Sequence, residues 1–247
     1  MKVSSIALLL LLISNYTFAQ LGDNYIKLSE EITTETRKVA GFDKIDVTED
    51  FEVFIHFSEA EEEVKIEANK NLHEKIIVEK TGSTLKISTA PYSANNAWGK
   101  HKGAKERLVA HITVSSLVGI TADEDVIITL QDELISDYLE VDLSEDCVLE
   151  GVLNVDKLVV NLDEDSVLDI QGSAKTMDAK ANEDSVIAGS GFVVDNLKIE
   201  LNEDSEAKLT INNEIDLRAN EDSNLYYHGD AIFIRKQLRE DSKAKPW

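Results

Sequence analysis

The second half of the chain alternates apolar and polar residues in short segments. Leu139, Val141 and Leu143 occupy every second position, and the same spacing recurs in 158–162 and 197–201. Strict alternation is typical of a β-strand with one buried face. The same alternation occurs again in 177–181, where two of the three apolar residues are alanine, and in 215–219. Because the rest of the chain shows no convincing helical period, the pattern predicts an all-β protein.

A Glu-Asp pair follows these segments at a nearly constant interval. The glutamates of the pairs fall at 124, 145, 164, 183, 203, 221 and 240, in steps of 21, 19, 19, 20, 18 and 19 residues, and one further pair, Glu49-Asp50, lies far upstream. A fixed period of this length indicates a solenoid. We therefore predict a right-handed parallel β-helix with coils of about 19 residues, whose repeats run from about residue 120 to 242.

The alternation of inward and outward positions along each strand places the Glu-Asp pair that follows it at a corner of the coil. Counting by twos from Leu162 would aim Glu164 into the core of a straight strand, where unpaired carboxylates are costly. The backbone must therefore bend and turn both acids outward. A second short strand should then lead to a turn, at 172–173, 189–191, 212–213 and 228–230. The residue after the pair is small in every late repeat, which suits the inside of a corner: Cys147, Ser166, Ser185, Ser205, Ser223 and Ser242.

The N-terminal 19 residues have the features of a secretory signal peptide. Lys2 precedes a short apolar run from Ile6 to Ile13, and a small-residue cleavage site ends at Ala19. No later stretch approaches the roughly 20 consecutive apolar residues of a transmembrane helix. The predicted organisation is a signal peptide (1–19), a tether (20–36) and one β-helix domain (37–247). The expected location is extracellular, at the cell surface or in the periplasm.

Charge and cysteine content narrow the class of protein further. The 247 residues include 48 Asp and Glu against 25 Lys and Arg, a formal net charge of −23. Such a charge disfavours nucleic-acid partners. Cys147 is the single cysteine, which excludes an intrachain disulfide. Since no cation flanks it, we interpret Cys147 as a small buried apolar residue and not as a reactive thiol.

The stacked acids form the first candidate site. Neighbouring coils lie about 4.8 Å apart, and like charges at this distance repel by about 1 kcal/mol in water. A file of Ca²⁺ ions or a cationic partner would relieve the repulsion, although the glycine-rich nonapeptide of Ca²⁺-binding β-rolls is missing. Alternatively, the acids are solvated corners that keep the protein soluble. The candidate residues are Glu124, Asp125, Glu145, Asp146, Glu164, Asp165, Glu183, Asp184, Glu203, Asp204, Glu221 and Asp222.

A basic loop at 90–108 is the second candidate site. It is the one basic cluster that stands out in an acidic sequence, and it could bind carboxylates, stack against sugars or dock on the acids of another copy of the chain. It could also be a long polar connection whose tryptophan packs against the β-helix. The candidate residues are Tyr92, Trp98, Lys100, Lys102, Lys105 and Arg107.

Paired carboxylates also raise the possibility of a polysaccharide-active enzyme. Any two stacked carboxylates approach the roughly 5 Å separation of a retaining glycosidase. Catalysis, however, needs two carboxylates in different environments, and these pairs are nearly identical. We therefore predict no catalytic residue and no cofactor other than Ca²⁺.

Several segments resemble the head-GIN-domain family of putative auto-transporter adhesins, which are secreted or outer-membrane-associated bacterial proteins. RKVAGFDKIDVTEDFEVFI (37–55) is similar to the opening strand pair of the family, and the resemblance continues through 64–79, 82–89, 107–126 and the repeats. It implies a β-helical fold, export and no established activity. Where relatives typically have Ser-Gly-Ala-Ser at the corner, this chain has Asn-Glu-Asp-Ser at 182–185, 202–205 and 220–223.

The resemblance favours a secreted or envelope binding protein that is adhesive and non-enzymatic. Its partner would be an extracellular or envelope glycan or protein, and self-association is a further possibility. The alternatives are a polysaccharide-active β-helix enzyme and a structural surface protein stabilised by cations.

Overall fold

The computed structural model describes residues 26–59, 62–90 and 101–247. Within these ranges the chain forms strands and no helix, and hence no helix suited to crossing a membrane. The strands are β1 (Ile26–Leu28), β2 (Ile32–Arg37), β3 (Lys44–Thr48), β4 (Glu52–Phe57), β5 (Glu63–Asn69), β6 (Ile76–Thr81), β7 (Thr84–Thr89), β8 (His101–Gly103), β9 (Leu108–Val114), β10 (Gly119–Asp123), β11 (Ile127–Leu130), β12 (Leu134–Leu143), β13 (Val148–Leu162), β14 (Val167–Ala181), β15 (Val186–Leu201), β16 (Glu206–Ala219), β17 (Asn224–His228), β18 (Ile232–Leu238) and β19 (Lys243–Pro246).

Each central coil consists of one long strand and one four-residue corner. Strands β13 to β16 are 14 to 16 residues long. Consecutive strands pair in parallel along most of their length, which places Leu158 beside Met177 and Met177 beside Leu197. These inward residues are at most 2% exposed and form one column of the core. The structure confirms a β-solenoid of about 7 turns with a spacing of about 19 residues.

Three of the four predicted turns lie inside continuous strands. At Gly172 the strand bends with a φ of 106°, and the pairing of β14 with β15 shifts register between Asp169 and Gln171. A side chain at Gly172 would collide with the carbonyl oxygen of Leu153, so the bend requires glycine. Within the described residues, the predicted turn at 228–230 does separate two strands, β17 and β18.

The distant pair Glu49-Asp50 belongs to the same solenoid. It lies between β3 and β4, which pair in parallel with β10 and β11 on either side of Glu124-Asp125. The chain between β4 and β10 forms the N-terminal cap together with β2, which precedes β3. In this cap β5 runs antiparallel to β9 and β2, and β6 runs antiparallel to β7. The repeat therefore begins one coil earlier than the regular spacing predicts.

The predicted tether is folded in its described part. β1 pairs with β8, β2 pairs with β5, and Leu28 is 3% exposed. The segment Ile32–Arg37 has no row of buried apolar residues, because β2 lies at the edge of the cap and gains its order from backbone pairing. Residues 26–36 of the predicted tether therefore contain paired strands, and the boundary between tether and β-helix domain stays a prediction. Residues 1–25, which include the predicted signal peptide, lie outside the described residues.

Candidate functional site

The Glu-Asp corners share an unusual backbone conformation. All eight pairs have positive φ at both residues, as at Glu164 (49°) and Asp165 (58°). No other non-glycine residue in the described ranges has positive φ. This region costs most L-residues about 1–2 kcal/mol each. The glutamates therefore adopt the conformation that glycine would adopt more readily. We call the acids of these pairs the acidic ridge: Glu49, Asp50, Glu124, Asp125, Glu145, Asp146, Glu164, Asp165, Glu183, Asp184, Glu203, Asp204, Glu221, Asp222, Glu240 and Asp241.

Backbone hydrogen bonds hold each corner to the next one. The N–H of Asp165 donates to the carbonyl oxygen of Glu183 at 2.8 Å, and the equivalent bond recurs at every step from Asp50 to Asp222 at 2.8–2.9 Å. Each strained corner is therefore fixed by the corner stacked on it.

The orientation predicted from parity is confirmed. The ridge side chains are exposed, apart from the half-buried Glu49. The serine that follows each late pair turns inward, and Ser166, Ser185, Ser205 and Ser223 are fully buried. The alternating pattern of the strands thus identified the corner correctly. The two residues in the left-handed conformation bend the backbone there, so that both acids point outward and the next residue points inward.

A ladder of polar side chains lies directly before the ridge. Asn220 Nδ2 donates to Asn202 Oδ1 at 2.8 Å, and Asn202 Nδ2 donates to Asn182 Oδ1 at 2.9 Å. In earlier coils Ser144 Oγ donates to Asp123 Oδ1 at 2.6 Å. The alternating pattern of the strands did not predict this ladder. The asparagine that repeatedly precedes Glu-Asp was the available signal.

The ridge concentrates like charges. The pKa of Glu183 is raised, first by partial desolvation against the neighbouring corners and then by the carboxylates of Asp163, Glu203 and Glu164. Residues 26–59, 62–90 and 101–247 contain no group of three or more His, Cys, Asp or Glu side chains that could hold a metal ion. Binding of Ca²⁺ along the ridge stays a prediction.

The charged residues on an adjacent face of the solenoid are arranged differently. Lys198 Nζ lies 2.7 Å from Asp178 Oδ2 in the preceding coil, and Arg218 Nη1 lies 3.5 Å from Glu200 Oε2. Opposite charges thus alternate from coil to coil on this face, whereas each ridge acid between the two terminal pairs has acids above and below it. A shallow concavity of about 240 Å³ lies between these ion pairs.

Cys147 occupies the serine column and is fully buried. Burial raises the pKa of its thiol to about 11. This agrees with a small buried residue that is inert as a nucleophile.

The basic loop is described only in part. Tyr92, Trp98 and Lys100 lie outside the described residues, as does the side chain of Lys102. Lys105 is exposed. Arg107 donates from Nε to Glu67 Oε1 at 2.8 Å and from Nη1 to Glu52 Oε2 at 2.7 Å, and the hydrogen bond to Glu67 raises its pKa. Arg107 therefore links β9 to β4 and β5.

Together, the stacked parallel coils, the antiparallel N-terminal cap and the exposed acidic corners define a β-solenoid protein with a repetitive outer surface. The sequence profile described as "Putative auto-transporter adhesin, head GIN domain" matches residues 41–231, so the chain belongs to this family. A search of curated proteins gives no match.

Solved structures share the fold. A putative adhesin from Bacteroides fragilis aligns with a TM-score of 0.74 at 18% identity, over 90% of this chain and 98% of its own. A putative adhesin from Parabacteroides merdae gives 0.71 at 15% identity, over 90% and 99%. A putative lipid binding protein from Parabacteroides distasonis gives 0.66 at 12% identity, over 91% and 100%. At these identities the likeness concerns the fold alone.

Proposed function

We propose that the chain is an exported, non-enzymatic binding protein of the adhesin type, which uses the acidic ridge to bind a cationic segment of an extracellular or envelope partner. The observation that carries this proposal is the set of exposed carboxylates that the ridge presents in regular array on a rigid scaffold. Family membership supports a binding role.

The backbone of the ridge supports a role for the charges themselves. Glycine would form the corners with less strain, yet all eight retain Glu and Asp. The carboxylates recur at about 4.8 Å along the ridge, whereas residues that face the same side of an extended strand recur at about 6.6–6.8 Å. An extended chain bearing Lys or Arg would therefore be out of step with the ridge, and its long side chains would have to adjust to reach successive carboxylates.

An enzymatic role has less support. The described corners are nearly equivalent, whereas a general acid and a general base need distinct environments. An assay for release of reducing ends or unsaturated sugars from acidic polysaccharides would detect such an activity.

The test is binding to intact cells and to arrays of glycans and proteins. Asp165→Asn, Asp184→Asn and Asp204→Asn together remove three ridge charges, and asparagine tolerates the left-handed conformation. The matched control is Asp137→Asn, Asp169→Asn and Asp230→Asn, which removes three exposed charges elsewhere. We expect binding to be lost in the ridge variant and kept in the control. Equal behaviour of the two variants would reject the ridge as the binding surface.

Location is tested separately by protease shaving of intact cells. Digestion of the protein without cell lysis is expected for a surface adhesin. If the protease digests the protein only after the envelope is opened, the protein lies in the periplasm, and adhesion to external partners is excluded.

A further inference from the structure

The most C-terminal coil that the structure describes has a net charge opposite in sign to that of the rest of the sequence. Residues 232–247, which we call the basic coil, contain five basic residues (Arg235, Lys236, Arg239, Lys243 and Lys245) and two acidic ones (Glu240 and Asp241), a net charge of 5 − 2 = +3. The remaining residues have 25 − 5 = 20 basic and 48 − 2 = 46 acidic side chains, a net charge of 20 − 46 = −26. The five basic side chains are all exposed.

The basic coil also exposes large apolar side chains. Ile232 is 65% exposed and Ile234 58%, and both lie on β18. Leu238 occupies an inward position beside Ala219 but is 37% exposed, because no described coil covers it. Trp247 is 47% exposed, with Lys208 Nζ 4.1 Å from its ring centroid. Apolar and cationic side chains are therefore interspersed on one end of the molecule.

The end of the solenoid is unsuited to another copy of the same coil. Lys236 pairs with Leu217 and so stands at the foot of an inward column that is otherwise apolar (Val141, Val160, Ala179, Ile199 and Leu217). Its ammonium group lies over the Phe233 ring at 4.6 Å. An inward charge on an edge strand opposes the addition of a further strand. Two basic coils placed end to end would also repel each other.

We propose that the basic coil is a docking surface for an anionic lipid membrane. Arg and Lys would lie among the acidic headgroups, while the Ile, Leu and Trp side chains enter the interface to a shallow depth. In this orientation the solenoid stands with its N-terminal cap away from the bilayer, and the ridge remains open to a partner. This role is additional to the proposed function and does not depend on it.

Vesicle co-sedimentation of the full chain tests the proposal. We expect binding to vesicles that contain phosphatidylglycerol, no binding to phosphatidylcholine alone, and release at high salt. Each basic side chain near such a surface contributes about fivefold to the partition coefficient. The triple variant Lys236→Gln, Arg239→Gln, Lys243→Gln should therefore bind about 100-fold more weakly. A second variant, Ile232→Ser with Ile234→Ser, should also bind more weakly.

The matched control is Lys65→Gln, Lys70→Gln, Lys80→Gln, which removes the same charge from the N-terminal cap and should bind like the parent chain. Thermal melts of all variants establish that they are folded. The proposal is overturned if the parent chain does not bind phosphatidylglycerol vesicles or if the control loses binding equally. It is also overturned if sedimentation without vesicles shows a dimer that the basic-coil variants abolish, because the partner would then be a second copy.

Discussion

Replacing one ridge glutamate with glycine should stabilise the protein, although the same replacement on a strand should destabilise it. Glu164 has a φ of 49° and is exposed. Glycine removes a left-handed penalty of about 1–2 kcal/mol, while its greater freedom in the unfolded chain costs about 0.4–1 kcal/mol. The net expectation for Glu164→Gly is a gain of about 0.5–1 kcal/mol in the free energy of unfolding.

Two variants isolate the backbone contribution. Glu214→Gly replaces an exposed glutamate within β16 that has no left-handed φ, and it should cost about 0.5–1 kcal/mol. Because the unfolded-state cost is common to both substitutions, their difference measures the backbone strain together with the loss of the Glu164 charge from the ridge. Glu164→Gln retains the backbone strain and removes the charge, so it reports the contribution of ridge repulsion.

Urea unfolding and thermal melts followed by circular dichroism give the comparison. For a chain of this size, 1 kcal/mol corresponds to about 2–4 °C in Tm. We expect Glu164→Gly to melt above both Glu164→Gln and Glu214→Gly. If Glu164→Gly and Glu214→Gly lose the same stability, the corner carries no left-handed strain and the explanation given for the ridge is wrong.

Four other predictions concern the core and the charges. The buried Oγ of Ser166 has no hydrogen-bond partner among the described residues, whereas that of Ser205 donates to the Asn202 carbonyl at 2.7 Å. Ser166→Ala should therefore be neutral or stabilising, and Ser205→Ala should cost about 1 kcal/mol in urea unfolding; equal effects would contradict this. The Cys147 thiol should react with a disulfide reagent only after unfolding. Since its folded pKa is about 11 against an ordinary value of 9.0, stability should fall as the pH rises from 9.0 towards 11, and Cys147→Ser should lack this dependence. Glu183 has a raised folded pKa, so its charged form destabilises the fold at neutral pH, and this destabilisation lessens as the pH falls through the folded pKa towards 4.5. Glu183→Gln should raise Tm at neutral pH and lose that advantage near 4.5; a constant difference across this range would argue against the shift. Finally, millimolar Ca²⁺ should raise Tm relative to chelator at matched ionic strength, and less so in the Asp165, Asp184 and Asp204 to Asn variant. If Tm is the same with Ca²⁺ and with chelator, the prediction that Ca²⁺ ions bind along the ridge is rejected.

The sequence by itself determined the solenoid, because a one-sided strand must alternate and a stacked coil must repeat. Leu139, Val141 and Leu143 identified the strands, and the 19-residue step of Glu-Asp identified the coil. Parity also placed Ser166 inside and Glu164 outside, since a buried column of carboxylates is too costly. These inferences concern local periodicity, which does not depend on distant contacts.

Only the tertiary structure decided the features that depend on contacts between distant residues. Glu49-Asp50 joins the ridge because β3 and β4 pair with β10 and β11 across the intervening cap. β2 becomes a strand through its pairing with β5, and its own sequence lacks the alternation of buried and exposed residues that would predict a strand. The left-handed backbone of Glu164 is likewise stable only when stacked, since the corner hydrogen bonds come from neighbouring coils. Such pairings cannot be read from a local pattern, because the partners lie a whole coil or more apart in the chain.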